Sequence, residues 1–144
     1  MTGTIDRRVC NFIRKHHVLT LATSHDNKPW CANCFYVFLE KENALVFTSD
    51  EDTKHIEDSK LQNYVSGSIV LETYLIGKIR GIQFTGIILK PEGALLEKVK
   101  KAYLKRFPFA VLMDTTLWTV RLTYIKMTDN RLGFGKKLIW HSNT

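Results

Sequence analysis

The sequence predicts a mainly β, α+β domain: an antiparallel barrel or sandwich decorated by about three short helices. Seven segments rich in β-branched and aromatic residues follow one another, each bounded by turn residues. Several are separated by only a few residues, a spacing that suits hairpins and leaves no room for the helical crossovers of a parallel sheet. Three further segments, all short, carry helical periodicity.

The first helix follows from Ile5, Val9, Phe12 and Ile13, an i, i+4, i+7/8 stripe, with Thr4 as its expected cap, Asp6 in its first turn and Arg14, Lys15 and His16 near its end. Val18–Ser24 (VLTLATS) is strand chemistry, followed by the turn cluster His25–Pro29. Trp30–Glu40 (WCANCFYVFLE) and Ala44–Ser49 (ALVFTS) are the next two strands, separated by the turn Lys41-Glu42-Asn43. Ser49 or Asp50 is placed to cap a polar helix over about Thr53–Gln62. Strands return at Val65–Ile76 and Ile79–Lys90, read as a tight hairpin across Gly77-Lys78. Pro91-Glu92-Gly93 opens a third helix, about Ala94–Phe107, with Leu95, Val99, Ala102 and Tyr103 on one face and Pro108 as its stop. Leu117–Met127 and Phe134–Trp140 complete the strands around the turn Thr128–Arg131.

The chain has 144 residues, 44% hydrophobic and 24% charged, which fits one domain over residues 1–144 and excludes wholesale disorder. No apolar run approaches the ~18 residues that a spanning helix needs, and no apolar block follows the charged start, so neither membrane insertion nor a secretory signal is expected. Three cysteines, an odd number, do not make a disulfide framework, which points to a reducing cytoplasm. Twenty-one Lys+Arg against 14 Asp+Glu leaves a formal charge of +7, suited to polyanions or to phosphorylated small molecules. Lys98, Lys100, Lys101, Lys105 and Arg106 concentrate five of these charges, but no nucleic-acid module accompanies them, so nucleic acid is the weaker expectation.

Trp30-Cys31-Ala32-Asn33-Cys34 copies the spacing of a thiol–disulfide motif. That chemistry requires a helix N-terminus, whereas on a strand residues three apart face opposite ways and their sulfurs can neither pair nor chelate. The five histidines show no metal-ligand spacing, and no metal is expected. Gly133-Phe134-Gly135-Lys136-Lys137 reads as a bend entering a strand. Phe47-Thr48-Ser49-Asp50-Glu51-Asp52-Thr53-Lys54 is the most informative segment. A strand ending in hydroxyl residues, then a helix opening with another hydroxyl and a lysine, forms a cradle for a phosphate monoester. The three intervening acids fit this only if they face outward.

Taken together, WCANCFYVF, ALVFTS, the Thr-Lys helix opening, the long hairpin, RGIQFTG, AYLKRFP and TDNRLGFGKKLIW resemble the pyridoxamine 5′-phosphate oxidase-like, FMN-binding split-barrel family, in an uncharacterised bacterial branch. The resemblance implies an antiparallel, Greek-key-like split barrel forming a homodimer, with two FMN sites at the subunit interface. It implies that Cys31, Ala32, Asn33, Cys34 and Phe35 lie along the isoalloxazine ring, and that Thr48, Ser49, Thr53 and Lys54 meet the phosphate. It makes Trp118 and Phe134–Lys137, Lys136 included, candidates to wall the ring, from the partner subunit or from the same one. Thr53 stands where the oxidases proper carry an arginine. Their flavin-contacting glutamine falls near Gly81, with Gln83 on the same strand face as its substitute. Their substrate-holding C-terminal arginine and histidine have no counterpart, so vitamin B6 oxidation is not expected. The resulting expectation is a cytoplasmic, flavin-dependent oxidoreductase acting on a small molecule. The alternative is a non-catalytic flavin or haem carrier or sensor on the same scaffold. Tyr36, His55 and Lys136 are the candidate proton donors or acceptors near a flavin, and none is assigned a catalytic role.

Overall fold

The computed structural model describes residues 3–112 and 114–143. Helix α1 (Arg7–Lys15) is capped by Asp6, whose carboxylate accepts from the Arg8 amide at 2.8 Å. Thr4 stands too far upstream for that bond, so the expected cap is corrected by two residues. Strands β1 (Val18–His25) and β2 (Lys28–Leu39) form a hairpin across Asp26 and Asn27, both at positive φ (51° and 61°), as a turn matching the strand twist requires. Asn43, at φ 50°, turns the chain into β3 (Ala44–Ser49). Helix α2 (Lys54–Leu61) then carries it to β4 (Tyr64–Val70), which lies beside β1 rather than β3. The spatial order 4-1-2-3 is a Greek key.

After β5 (Arg80–Leu89) come α3 (Gly93–Arg106), β6 (Thr116–Asp129) and β7 (Lys137–His141). The sheet runs β3-β2-β1-β4-β5-β6-β7, and β3 pairs again with β6, closing six antiparallel strands into a barrel with β7 appended. At the β5–β6 pairing the register slips between Thr85 and Gly86, a bulge that bends the sheet toward closure.

Inward residues alternate along every strand: Leu19 and Leu21; Cys34, Tyr36 and Phe38; Leu45 and Phe47; Val65 and Ile69; Ile82 and Phe84; Val120 and Leu122. Val9, Phe12 and Ile13 of α1 and Ile56 of α2 join the same core. A second cluster lies outside the barrel, where Val99 and Tyr103 of α3 cover Leu39, Ala44 and Val46. Leu95 and Ala102 pack beside them, so the apolar face expected for α3 is the buried one.

The tight hairpin expected at Gly77-Lys78 is not formed. Pairing ends at Val70↔Gly81, and residues 71–79 make a longer loop containing a short 3-10 turn at Ile76–Lys78. The observed register sets Ile69 opposite Ile82 and Gly67 opposite Phe84. A two-residue turn would place Ile82 against Thr73, leaving the buried Ile82 with a polar neighbour. Asn130 fastens the loop instead, its amide bonding the Ile79 carbonyl at 3.0 Å and its side chain the Ile76 carbonyl at 2.9 Å. The last strand begins at Lys137, not Phe134, because Gly133 and Gly135 hold positive φ (135° and 71°) that break the pairing.

Gly67 is where a side chain is excluded outright: a Cβ there would collide with the Phe84 ring and the Thr20 carbonyl. Gly67→Ala is therefore expected to destabilise the barrel by about 2–3 kcal/mol. Gly77→Ala, with nothing near its Cβ, should change stability by less than about 0.5 kcal/mol. Urea titration of both variants measures the contrast.

Candidate functional site

β3 pairs with β2 only over Tyr36–Leu39, then continues along β6 to Ser49. The other half of β2, Lys28–Phe35, pairs with β1 on one side and, among the described residues, with no strand on the other. The Tyr36 amide bonds the His17 carbonyl at 3.0 Å. By strand alternation, the backbone groups of Cys31, Asn33 and Phe35 then point away from β1, toward this open edge.

The side chains of the same segment divide by face. Cys34 is buried, and Trp30 and Ala32 share its side of the strand; Cys31, Asn33 and Phe35 face outward. Burial pushes the Cys34 thiol up to about 11, and Cys31 lies on the opposite face, exposed. A dithiol mechanism has no geometric basis here. Outward from β2, register aligns Asn33, Thr20, Ser68, Gln83 and Lys126 in one row and Cys31, Ala22, Ser66, Thr85 and Tyr124 in the next. Thr20 donates to the Asn33 side-chain oxygen at 2.7 Å. The β1, β4, β5 and β6 members of these rows floor a groove of about 350 Å³. Asn33 and Gln83 thus share one exposed sheet face.

At the end of β3 a polar cluster is assembled. The Ser49 hydroxyl lies 2.5 Å from His55 Nε2 and 3.4 Å from the Thr53 hydroxyl. Thr53 donates to the Asp50 carbonyl at 2.8 Å. Trp118 donates its indole N–H to the Ser49 carbonyl at 3.0 Å, which fixes the strand end. Lys54 Nζ is 3.1 Å from the buried Asp58 carboxylate and 5.5 Å from the Trp30 ring centroid. The Lys54–Trp30 contact sets this cluster beside the open edge of β2. His55 is 8% exposed, and its pKa is lowered chiefly by burial, opposed by the nearby Asp58. Asp50, Glu51 and Asp52 are exposed, and Glu51 is drawn off by Lys90 at 2.6 Å. The arrangement offers two hydroxyls, an imidazole and an ammonium around the first turn of α2, a donor set suited to an oxyanion.

Not every expected residue joins it. Thr48 is adjacent to Ser49 on a strand and therefore points the other way: its hydroxyl lies 3.2 Å from Tyr103 of α3, outside the barrel. Trp118 is 5% exposed within the core, so it stands behind the cluster of its own chain rather than walling a ring. Lys136 and Phe134 are exposed beyond the far end of β6, the opposite end from Trp118. In one protomer they do not reach the cluster. Tyr36 is buried with its hydroxyl on the Ile13 carbonyl at 2.5 Å, away from the open edge. Sequence reading passed over Asp58 and Trp30 as partners of Lys54, and Tyr124 and Lys126 on the outer face. The i, i+4 spacing of Lys54 and Asp58 was the available signal for the first, and the strand alternation of β6 for the last two.

Because His55 is held neutral in the folded chain and titrates ordinarily when unfolded, the unfolded state gains the extra proton as pH falls below about 6.5. The stability contributed by this group is complete above that pH and is lost below it. His55→Asn should flatten this part of the profile. Urea midpoints at pH 7.5 and 5.5 for both proteins test it.

Searched against family models, the sequence matches none. It is 41% identical over 129 residues to the UPF0306 protein YhbP of Salmonella schwarzengrund, covering 90% of this chain and 88% of that protein. Among solved structures, a haem-binding protein from Mycobacterium smegmatis superposes with a TM-score of 0.77 at 19% identity, over 96% of this chain and 60% of that one. A FAD-binding protein from Mesorhizobium loti gives a TM-score of 0.68 at 13% identity, over 87% and 95% of the two chains. At these identities the structural likeness is one of fold.

Proposed function

The chain belongs to the UPF0306 family, and for this member we propose an FMN-binding protein of the pyridoxamine 5′-phosphate oxidase-like type that acts as an oxidoreductase on a small molecule. The observation that carries the reading is the adjacency of the open β2 edge to the Ser49–Thr53–Lys54–His55 cluster. A phosphate held by the cluster leaves its attached ring beside unpaired strand amides and carbonyls. A planar heteroaromatic ring with a polar edge satisfies both, and an unsatisfied strand edge is otherwise a liability. The FAD-binding neighbour supports a flavin on this fold. Bound flavin supplies hydride or single-electron chemistry, and the protein's part is to hold and orient it.

In this reading Ser49, Thr53 and Lys54 hold the phosphate, and Cys31 and Asn33 present backbone groups to the ring. Thr48 serves through Tyr103 as packing, and Ala32 and Cys34 lie on the inner face behind the ring. The missing substrate-holding residues argue against vitamin B6 oxidation.

We further propose a homodimer. Among the described residues no helix covers the outer rows of β1, β4 and β5, whose side chains at Thr20, Ala22, Ser66, Ser68 and Thr85 are small enough for two sheets to approach closely. In such a dimer the exposed Phe134–Lys137 loop of one copy is a candidate to wall the ring held by the other. Three free thiols and no disulfide accord with the cytoplasm as its setting.

Purified protein mixed with FMN should show a saturable change in flavin fluorescence. Lys54→Ala should weaken that binding by about 1.5–3 kcal/mol, the worth of a hydrogen bond to a charged group, or about 10- to 150-fold in Kd. A Soret band with haem and no response to FMN would replace flavin by haem, in line with the haem-binding neighbour. Light scattering should give the mass of a dimer, and Ser68→Arg should yield monomers that bind FMN poorly.

A further inference from the structure

We infer that His55 is the second cation of the phosphate cradle, taking a proton from solvent as a phosphate monoester dianion enters. The inference rests on the FMN reading and assigns the charge that the Thr53 position lacks.

The hydrogen bonds lead to it. Each hydroxyl has one proton to donate. Thr53 directs its proton to the Asp50 carbonyl at 2.8 Å. Ser49 lies 2.5 Å from His55 Nε2; the neutral ring either takes the Ser49 proton at a bare Nε2 or, as its other tautomer, donates Nε2–H to the Ser49 oxygen. With His55 protonated, Nε2–H donates to the Ser49 oxygen, and the Ser49 proton turns toward the ligand. The charges lead to the same place. A phosphate monoester carries about −1.5 to −2 at neutral pH, and the Lys54 ammonium is already shared with the Asp58 carboxylate. One compensated ammonium does not balance a dianion. His55 is the remaining ionisable base of the cluster, and at 8% exposure its charge is weakly screened.

The charged groups on the elements around it are few. Lys54, Glu57, Asp58 and Lys60 share its helix, and Asp50, Glu51 and Asp52 form the exposed loop before it. β1 and β2, against which α2 packs, carry His25, paired to Asp26, and Lys28 at their hairpin tip, with the buried Cys34 and Tyr36 farther along β2; Lys90, just past β5, pairs with Glu51 of the loop. Burial keeps the free imidazole neutral at neutral pH, with Asp58 opposing that effect. An entering dianion adds to the pull of Asp58, so the proton is gained on binding. The consequence is specificity: the cradle favours a terminal phosphate, as in FMN, over a flavin without phosphate or one whose phosphates are esterified on both sides.

Calorimetric titration of the wild-type protein with FMN between pH 7 and 8.5, in two buffers of different ionisation enthalpy, tests this directly. FMN's own phosphate is already largely dianionic in that range, its second pKa being about 6. The expected result is uptake of about half to one proton per FMN at pH 7.5 and an affinity that falls several-fold, up to tenfold, per pH unit. Riboflavin should bind with no such pH dependence. His55→Asn and His55→Gln should bind FMN more weakly at pH 7 and lose both the proton uptake and the slope. FMN binding without proton uptake, or with the same slope in both variants, overturns this inference and leaves the flavin reading standing. Failure of the wild type to bind FMN at any pH overturns both.

Discussion

The structure depends on how β3 divides its two hydrogen-bonding edges between its neighbours. β3 has two edges and uses both: its first four residues pair with β2, and all six pair with β6. β3 has six residues against the twelve of β2 and parts from it after Phe47, so among the described residues the Lys28–Phe35 half of β2 has a strand neighbour on one side only. The opening is therefore a product of unequal strand lengths, and it lies where β3 ends in hydroxyl residues and α2 begins.

Around that opening the side chains obey strand and helix geometry rather than sequence proximity. Thr48 and Ser49 are neighbours in the chain and strangers in space, one bonded to α3 and the other to α2. Lys54 reaches Asp58 through one helical turn and Trp30 across to β2. The buried Asp58 holds the Lys54 ammonium in place and shares its charge, and the imidazole of His55 lies against Ser49 beside them. Trp118, from the far side of the chain, pins the Ser49 carbonyl and so sets the distance between strand end and helix start.

The elements were legible wherever a single segment carried its own signal. The β-branched and apolar composition of Val18–Ser24 and Ala44–Ser49, the stripe Leu95, Val99, Ala102 and Tyr103, and the turn chemistry of residues 25–29 each named an element that forms. The hydroxyl–lysine segment likewise located the polar cluster. Errors arose where a local signal met a competing pairing. Gly77-Lys78 has the composition of a tight turn, yet the match of Ile69 with Ile82 and of Gly67 with Phe84 sets a longer loop. Thr48 was grouped with Ser49 because both are hydroxyl residues at a strand end, although the alternation that rejected a Cys31–Cys34 pair separates these two as well.

By itself the sequence determined the element types, the apolar faces of α1 and α3, the concentration of polar groups at residues 48–54 and the absence of a dithiol centre. These follow from period-2 and period-3.6 patterning and from turn chemistry, which reside in neighbouring residues. The tertiary structure alone decided which stretch of strand edge stays unpaired, that Trp118 lies inside the barrel, that Lys136 lies beyond the opposite end of β6 from Trp118 and the polar cluster, and that His55 meets Ser49. Each of these is set by the packing of whole elements, above all by Ala44–Ser49 finding Thr116–Arg121. The free energy of that pairing belongs to two distant segments at once and is written in neither of them alone.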